Sequence, residues 1–496
     1  AAAGRAPPRE TQALLSNAAR ANTGNPAMIK FLFLDFRHFE HAAGFRRKLE
    51  RPVVDERPVL LSDKPWERNY ISTYGSVTRR ADGLFQMWYT CGQWCETGLR
   101  PAYAESEDGI HWRRPNLGLV KKGGRDTNLL MDEPLIGLSV ILDERDPREG
   151  RRYKMLVGAG RHPRISAFRS ADGKHWLPLA ENPVMGVNPD GPIGLFRSPD
   201  GRYVAYHRPC WGDRRIARSE SWDFEHWARP RVVLEPEPCD GTNVQFYGLG
   251  AARYGPYEIG TLWVYQTDPD CLGWTKSLGR VHPELVYGRG GYCWHRATPG
   301  EPWIRPAEEP GQPGYGLIEC ISQPLILEDE IRFYFTRSYE RHGEDHMVRE
   351  ARPERQVCVA RSKPDRFVAA YCGDSGRILT RPFWHAEPRF FVNARCEQNG
   401  YIKAEVQDVS GAVIPGFEMA GSVPFDGNAT AAELHWGGEP SYEALRGREI
   451  RLNLEVRSAS LFALAAATKP EVAQYAKFAE PYFLPKELET HEKQRQ

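Results

Sequence analysis

Residues 106–112, Ser106-Glu107-Asp108-Gly109-Ile110-His111-Trp112, decide how this chain folds. Asp-Gly is a turn pair: the Asp side chain bonds its own turn backbone, and the Gly takes a φ > 0 position that a side chain resists. The Trp then offers a large apolar face for packing. A His between acids also suits proton transfer. Copy number separates the two uses. The stretch recurs as Ser170-Ala171-Asp172-Gly173-Lys174-His175-Trp176. Ser221-Trp222-Asp223-Phe224-Glu225-His226-Trp227 is a third copy without its Gly, and Gly288-Arg289-Gly290-Gly291-Tyr292-Cys293-Trp294 a more worn fourth. Lys363-Pro364-Asp365-Arg366-Phe367 is a remnant of a fifth. The four Trp lie 64, 51 and 67 residues apart. A catalytic group is seldom rebuilt at one position of every repeat, whereas a turn that locks each repeat is. The stretch is therefore read as structural, His111 included.

Each copy follows the same preamble. A strand of small and β-branched residues, such as YGSV (74–77), is followed by a turn and an aromatic strand. The aromatic strands are FQMWYT (85–90), RYKMLVG (152–158), RYVAYHR (202–208), IGTLWVYQ (259–266) and IRFYFT (331–336). Four short strands per unit, five times over, is the pattern of a β-propeller. The chain is thus expected to be all-β: a five-bladed β-propeller over 31–385, then a small antiparallel β-sandwich over 386–465. The second part rests on FFVNARC, YIKAEVQD and REIRLNLEVRS, which alternate apolar and polar residues. Residues 1–30 form an extension with one helical stretch (TQALLSNAARA), and 466–496 a charged tail. FLFLDF (31–36) is expected as a strand covering a sheet edge.

At 496 residues the chain holds two or three domains. Its charge of +1 gives no basis for binding nucleic acid or an anionic membrane surface. No run of 18 apolar residues marks a membrane helix. Aromatics make up 11%, which suits strands and sugar-stacking sites alike. The ten Cys show no CxxC pairing. Most are read as buried thiols, with a local Cys91–Cys95 disulfide left open. The small, polar start (AAAGRAPPRE) fits a trimmed exported precursor, so secretion or a periplasmic location is expected, with the cytoplasm also open.

S-x-D-G-x-H-W at blade spacing resembles the turn signature of glycoside hydrolase propellers and is similar to the sialidase Asp box. Five units with a C-terminal β-sandwich resemble the five-bladed glycosidases of the invertase and arabinanase clans. PWERNYISTYGSV (65–77), GRYVAYHR (201–208), QFYGLGAARYGPYEIGTL (245–262) and RFFVNA (389–394) point to a branch of that group. The resemblance implies a carbohydrate substrate and a glycosidase. Glu319-Cys320 resembles that group's Glu-Cys pair, which implies a general acid at Glu319. Arg145-Asp146-Pro147 resembles its RDP string, although here it opens a turn between two strands. The group's Asn-Asp-Pro-Asn-Gly string has no counterpart.

In a propeller the innermost strands ring a channel, and their entry ends form one mouth. Glycoside cleavage needs two carboxyl groups across the scissile bond. The acids at or just ahead of a first strand are Glu67, Asp190, Asp240 and Glu319, and these are the catalytic candidates. Trp66, Tyr70, Trp94, Trp211 and Tyr247 are candidate sugar-stacking rings. His207 and Arg208, which end an aromatic strand, and His342, in the charged insertion at 338–355, are further substrate-binding candidates; His342-x3-His346 is a weak metal spacing. No HExxH, Walker or dinucleotide motif occurs, so no cofactor is required. A central or structural cation such as calcium is compatible with the architecture, and self-association is expected through the C-terminal region. A glycosidase acting from the ends of a plant or algal glycan is the first expectation. A sugar phosphorylase and a non-catalytic carbohydrate-binding propeller are the rivals.

Overall fold

The computed structural model describes residues 28–467 apart from 69, 94–97, 159–163, 188–192, 211–212, 269–277, 345–353 and 385–388. Two compact units emerge. One is Leu49–Phe367; the other combines the segments before and after it. No α-helix occurs among the described residues.

Leu49–Phe367 is a five-bladed propeller. The first blade holds Ile71–Arg79, Phe85–Gln93 and Gly98–Ser106. The second runs Ile136–Leu142, Tyr153–Gly158, Ile165–Ser170, Leu177–Pro178, and the third Gly194–Arg197, Tyr203–His207, Ile216–Ser221, Arg231–Leu234. Val244–Tyr254, Tyr257–Thr267, Gly279–Arg289 and Cys293–Arg296 make the fourth. The fifth takes Ile318–Cys320, Ile331–Arg337 and Gln356–Ser362 from late in the chain. Its outer edge comes from the beginning: Val53–Val54 and Leu60–Leu61 both pair antiparallel with Gln356–Ser362. Glu50 N bonds Phe367 O at 2.9 Å, so the unit's two ends meet.

The inner strands join round the ring. Ser76 Oγ, in blade one, reaches Ser322 Oγ at 2.7 Å and accepts from Val140 N at 2.8 Å. Ser322 N donates to Gly75 O, and Ala251 N to Ser322 O. Gly194 lies so close to blade four that an added Cβ would stand 2.4 Å from Leu249 O. Apolar clusters fill the wedges between blades, for example Trp88, Tyr103, Leu138 and Met155 between the first two.

The recurring turn behaves as masonry. In the first copy Asp108 Oδ1 accepts from Ile110 N and His111 N at 2.8 Å, and Gly109 has φ +73°. The second and third copies repeat these bonds, with Phe224 at φ +72° where the others carry Gly. Each turn is gripped by the preceding blade. Tyr334 OH donates to Gly109 O, Trp88 Nε1 to Gly173 O, Arg151 Nη2 to Asp223 O and Tyr206 OH to Gly291 O. In the fifth, Tyr254 OH bonds Asp365 at 2.6 Å. Asp146 lies, as expected, in the turn leading into Tyr153–Gly158, and both it and Asp143 are ion-paired to Lys154 Nζ.

The other unit is a nine-stranded antiparallel sheet. Its spine is two long strands, Arg389–Asp408 and Glu449–Ala467. A register shift between Cys396 and Tyr401 breaks their pairing, and the sheet curls into a half-barrel rather than forming two facing layers. Phe31, Phe390, Val406, Trp436 and Leu454 fill its concave side. FLFLDF does enter a strand, Met28–Leu32, but its partner is Ala463–Ala467 of this sheet. Val368–Cys372 and Gly376–Thr380 pair there too. The propeller is therefore shorter at both ends than 31–385. The physical reason is that its fifth blade already has an outer edge, so these strands have no place in the ring.

Candidate functional site

First strands run away from one end of the ring, and the links from second to third strands return to that end. The recurring turns lie at the opposite end. Residues of several blades gather at the first-strand end, within Leu49–Phe367.

Glu319 is the centre of this group. It sits in the inner strand of blade five and is buried. Ser72 Oγ, at the start of the inner strand of blade one, donates to Glu319 Oε2 at 2.6 Å. Arg355, just ahead of the third strand of blade five, places Nη1 at 3.5 Å from the same oxygen. The Arg355 guanidinium lies 3.9 Å from the Tyr70 ring centre. Tyr74 lies two residues after Ser72 on the same strand. Burial, then Tyr247 and Glu319, hold its hydroxyl well above the usual tyrosine range.

An aromatic wall continues through blade four. Tyr247 stacks on Trp263 at 6.2 Å, and Tyr74 packs on Trp263 at 5.4 Å. The His342 ring contacts Tyr247 at 5.3 Å and Tyr265 at 4.7 Å, and Tyr265 OH meets its Nδ1 at 3.1 Å. Arg208 lies over Tyr247 at 4.2 Å, and Arg214 over Tyr265 at 4.9 Å. The structure thus brings together Glu319, Tyr70, Arg208, Tyr247 and His342 of the expected residues. It adds Tyr74, Trp263, Tyr265, Arg214 and Arg355. Trp263 and Tyr265 share one face of a strand by their two-residue spacing, the one signal in the sequence that could have paired them.

Other candidates sit elsewhere. Glu67 is fully buried beneath Arg114, whose Nη1 lies 2.7 Å from Oε2, and Tyr89 OH donates to its other oxygen at 2.7 Å. Burial pushes the Glu67 carboxyl up, against the pull of Arg114. Trp66 belongs to the same network, with Nε1 donating to Asn128 Oδ1 at 2.9 Å. Asp240 is tied to Arg296 in the outermost strand of blade four, and Arg296 also holds Glu284 at 2.7 Å. His207 is buried between Arg208 O and Ser219 Oγ, and burial pushes its imidazole down to about 4. Asp190, Trp94, Trp211 and His346 lie outside the described residues, as do Cys95 and the helical stretch expected within residues 1–30. Cys91 is a buried free thiol.

A calcium ion takes six to eight oxygens, several of them carboxylate. Where blades one, two and five meet, the groups present are the hydroxyls of Ser76, Ser139 and Ser322, already bonded to one another. Among the described residues no group of three or more His, Cys, Asp or Glu could hold a metal ion. These residues do not fit a calcium cage.

No family profile matches the chain. Two uncharacterised proteins of Mycobacterium tuberculosis, from two strains, are each 27% identical over 198 residues, 38% of this chain and 56% of theirs. The chain spans about half the length of the curated relatives it matches. Among solved structures, a member of the GH130 family of mannoside phosphorylases and glycoside hydrolases aligns at 16% identity and TM-score 0.40, over 66% of this chain and 95% of that one. A thermostable family-43 glycoside hydrolase aligns at 12% identity and TM-score 0.42, over 64% and 95%. The β-1,2-mannobiose phosphorylase of Listeria innocua aligns at 11% and 0.41, over 63% and 96%.

Proposed function

We propose that this protein cleaves a glycosidic bond at the first-strand end of its propeller, with Glu319 as the proton donor to the leaving oxygen. The observation that carries this reading is the placement of Glu319. It is a buried carboxyl group on an inner strand, bonded by Ser72 and facing the Arg355 guanidinium. The rings of Tyr70, Tyr74, Tyr247 and Trp263 supply flat apolar faces of the kind that sugar C–H groups stack on. Action from chain ends accords with the long segment, 338–355, after the second strand of blade five; the substrate class proposed is a plant or algal glycan. Such a substrate places the enzyme in the periplasm or outside the cell.

A panel of 4-nitrophenyl glycosides and plant and algal polysaccharides tests the reading. Turnover by the wild type that falls at least about a hundredfold in Glu319→Gln is expected. Turnover unchanged in that variant would remove Glu319 from the chemistry.

Phosphorolysis is the second reading. Arg208 and Arg214 both lie over Tyr247, beside His342, and guanidinium groups suit a phosphate nucleophile. Cleavage that requires inorganic phosphate and yields a sugar 1-phosphate would select it over hydrolysis.

A further inference from the structure

Glycoside cleavage needs a second carboxyl group, and Glu67 and Asp240 are instead tied to Arg114 and Arg296. We infer that Glu340 supplies it, held with Glu319 on the one Arg355 guanidinium. This rests on the glycoside-cleaving reading above.

Glu340 follows the second strand of blade five and lies in the same link as His342. Its Oε2 stands 3.9 Å from Arg355 Nε, while Glu319 Oε2 stands 3.5 Å from Nη1. One planar cation therefore spans the two acids. The Glu340 side chain is only 10% exposed, and its Oε2 accepts no hydrogen bond among the described residues. A buried carboxylate oxygen without a donor costs on the order of 1–3 kcal/mol, a cost consistent with a reserved task.

The main chain is built to hold it there. Glu340 O accepts from Ser338 Oγ at 2.7 Å. Gly316 passes so close that an added Cβ would stand 1.7 Å from that oxygen, so only glycine leaves room. Arg355 and Ser72 meet the pair directly, Tyr70 lies on the Arg355 guanidinium, and Tyr74 is close enough to Glu319 for its charge to act on the hydroxyl.

The reading above makes Glu319 the acid, which leaves the base to Glu340. Glu319 gives its proton to the glycosidic oxygen as the C–O bond breaks. The unbonded Oε2 of Glu340 takes a proton from water as the water oxygen bonds to the anomeric carbon. One proton is given and one received, so the pair is restored by exchange with solvent.

The test uses the full chain and the same glycoside panel. Glu340→Gln, which keeps shape and removes charge, is expected to lower kcat by about a hundredfold or more with melting temperature nearly unchanged. Glu340→Ala is expected to regain turnover with added azide or formate, which fills the vacated space. A Glu340→Gln enzyme within about threefold of wild type in kcat would overturn the inference while leaving the Glu319 result standing. Should the wild type turn over nothing in the panel, the glycoside-cleaving reading falls. The pairing is then decided by carbon-13 NMR titration of labelled glutamates. A Glu340 pKa displaced by about one unit or more in Glu319→Gln supports one coupled site. A Glu340 pKa unmoved by that substitution overturns it.

Discussion

Phe224 holds the left-handed backbone position that Gly109 and Gly173 hold in the sister turns. A side chain there costs about 1–2 kcal/mol. The ring offsets it: Phe224 is 1% exposed and packs edge-on against Tyr203 at 5.1 Å and Trp227 at 5.5 Å. Losing a buried Phe costs about 3–5 kcal/mol, so Phe224→Gly should destabilise the protein by about 1–4 kcal/mol despite relieving the backbone. The denaturation midpoint measures this; an unchanged midpoint would show that the ring contributes little. His207 gives a pH dependence. Unfolded, an imidazole takes its proton near 6.5; folded, His207 does so at about 4. Between these values the unfolded chain binds more protons, so stability is complete above the window and falls as pH drops through it. A melting-temperature profile should lose part of that slope in His207→Gln. Glu67 and Glu319 show why single acids were hard to rank. Both lie near a first strand, and no local pattern distinguishes them. The distinction comes from remote partners: Arg114, far along the chain, covers one, while Ser72 from a neighbouring blade meets the other. Glu67→Gln should therefore act as a stability change of about 1–3 kcal/mol from weakened charge-assisted hydrogen bonds, with Arg114 keeping Asp63 at 2.7 Å, and should leave any glycoside turnover of the folded protein unchanged.

At the scale of elements, the turns were legible because their chemistry is local. Asp108, Asp172 and Asp223 bond backbone groups two and three residues ahead, so the motif carries its own structure. What grips each turn was not legible, since the donors come from the preceding blade and differ: a tyrosine, a tryptophan, an arginine. Trp88→Phe keeps most of the apolar volume and removes the donor to Gly173 O. It should cost about 1–3 kcal/mol and be read as a lower melting temperature. The mouth shows the same limit. Tyr247 and Arg208 were visible as residues near strand ends, and His342 was visible in its charged insertion, but nothing local marked Glu340 two residues before it. The placement of Glu340 depends on Arg355 and Gly316, which come from elsewhere in the chain.

At the scale of the molecule, five blades could be counted from turn copies, yet the segment completing the fifth could not be found that way. Val53–Val54 and Leu60–Leu61 are two residues each, too short to show alternation. The closing contact should be decisive for stability. Leu60 is buried among Ile71, Tyr334 and Val357, and Leu60→Asp places an unpaired charge there. That variant is expected to lower the melting temperature of the whole propeller unit. A transition confined to blade five would show instead that the blades melt independently. The closure has one further consequence. A linear array of repeats exposes a free face at each extremity and frays inward from it. A ring whose last member is finished by its own beginning has no extremity. Amide hydrogens in the second strands of all five blades should therefore exchange at similar rates, with no gradient along the chain, and only a cut between Leu49 and Leu61 should create one.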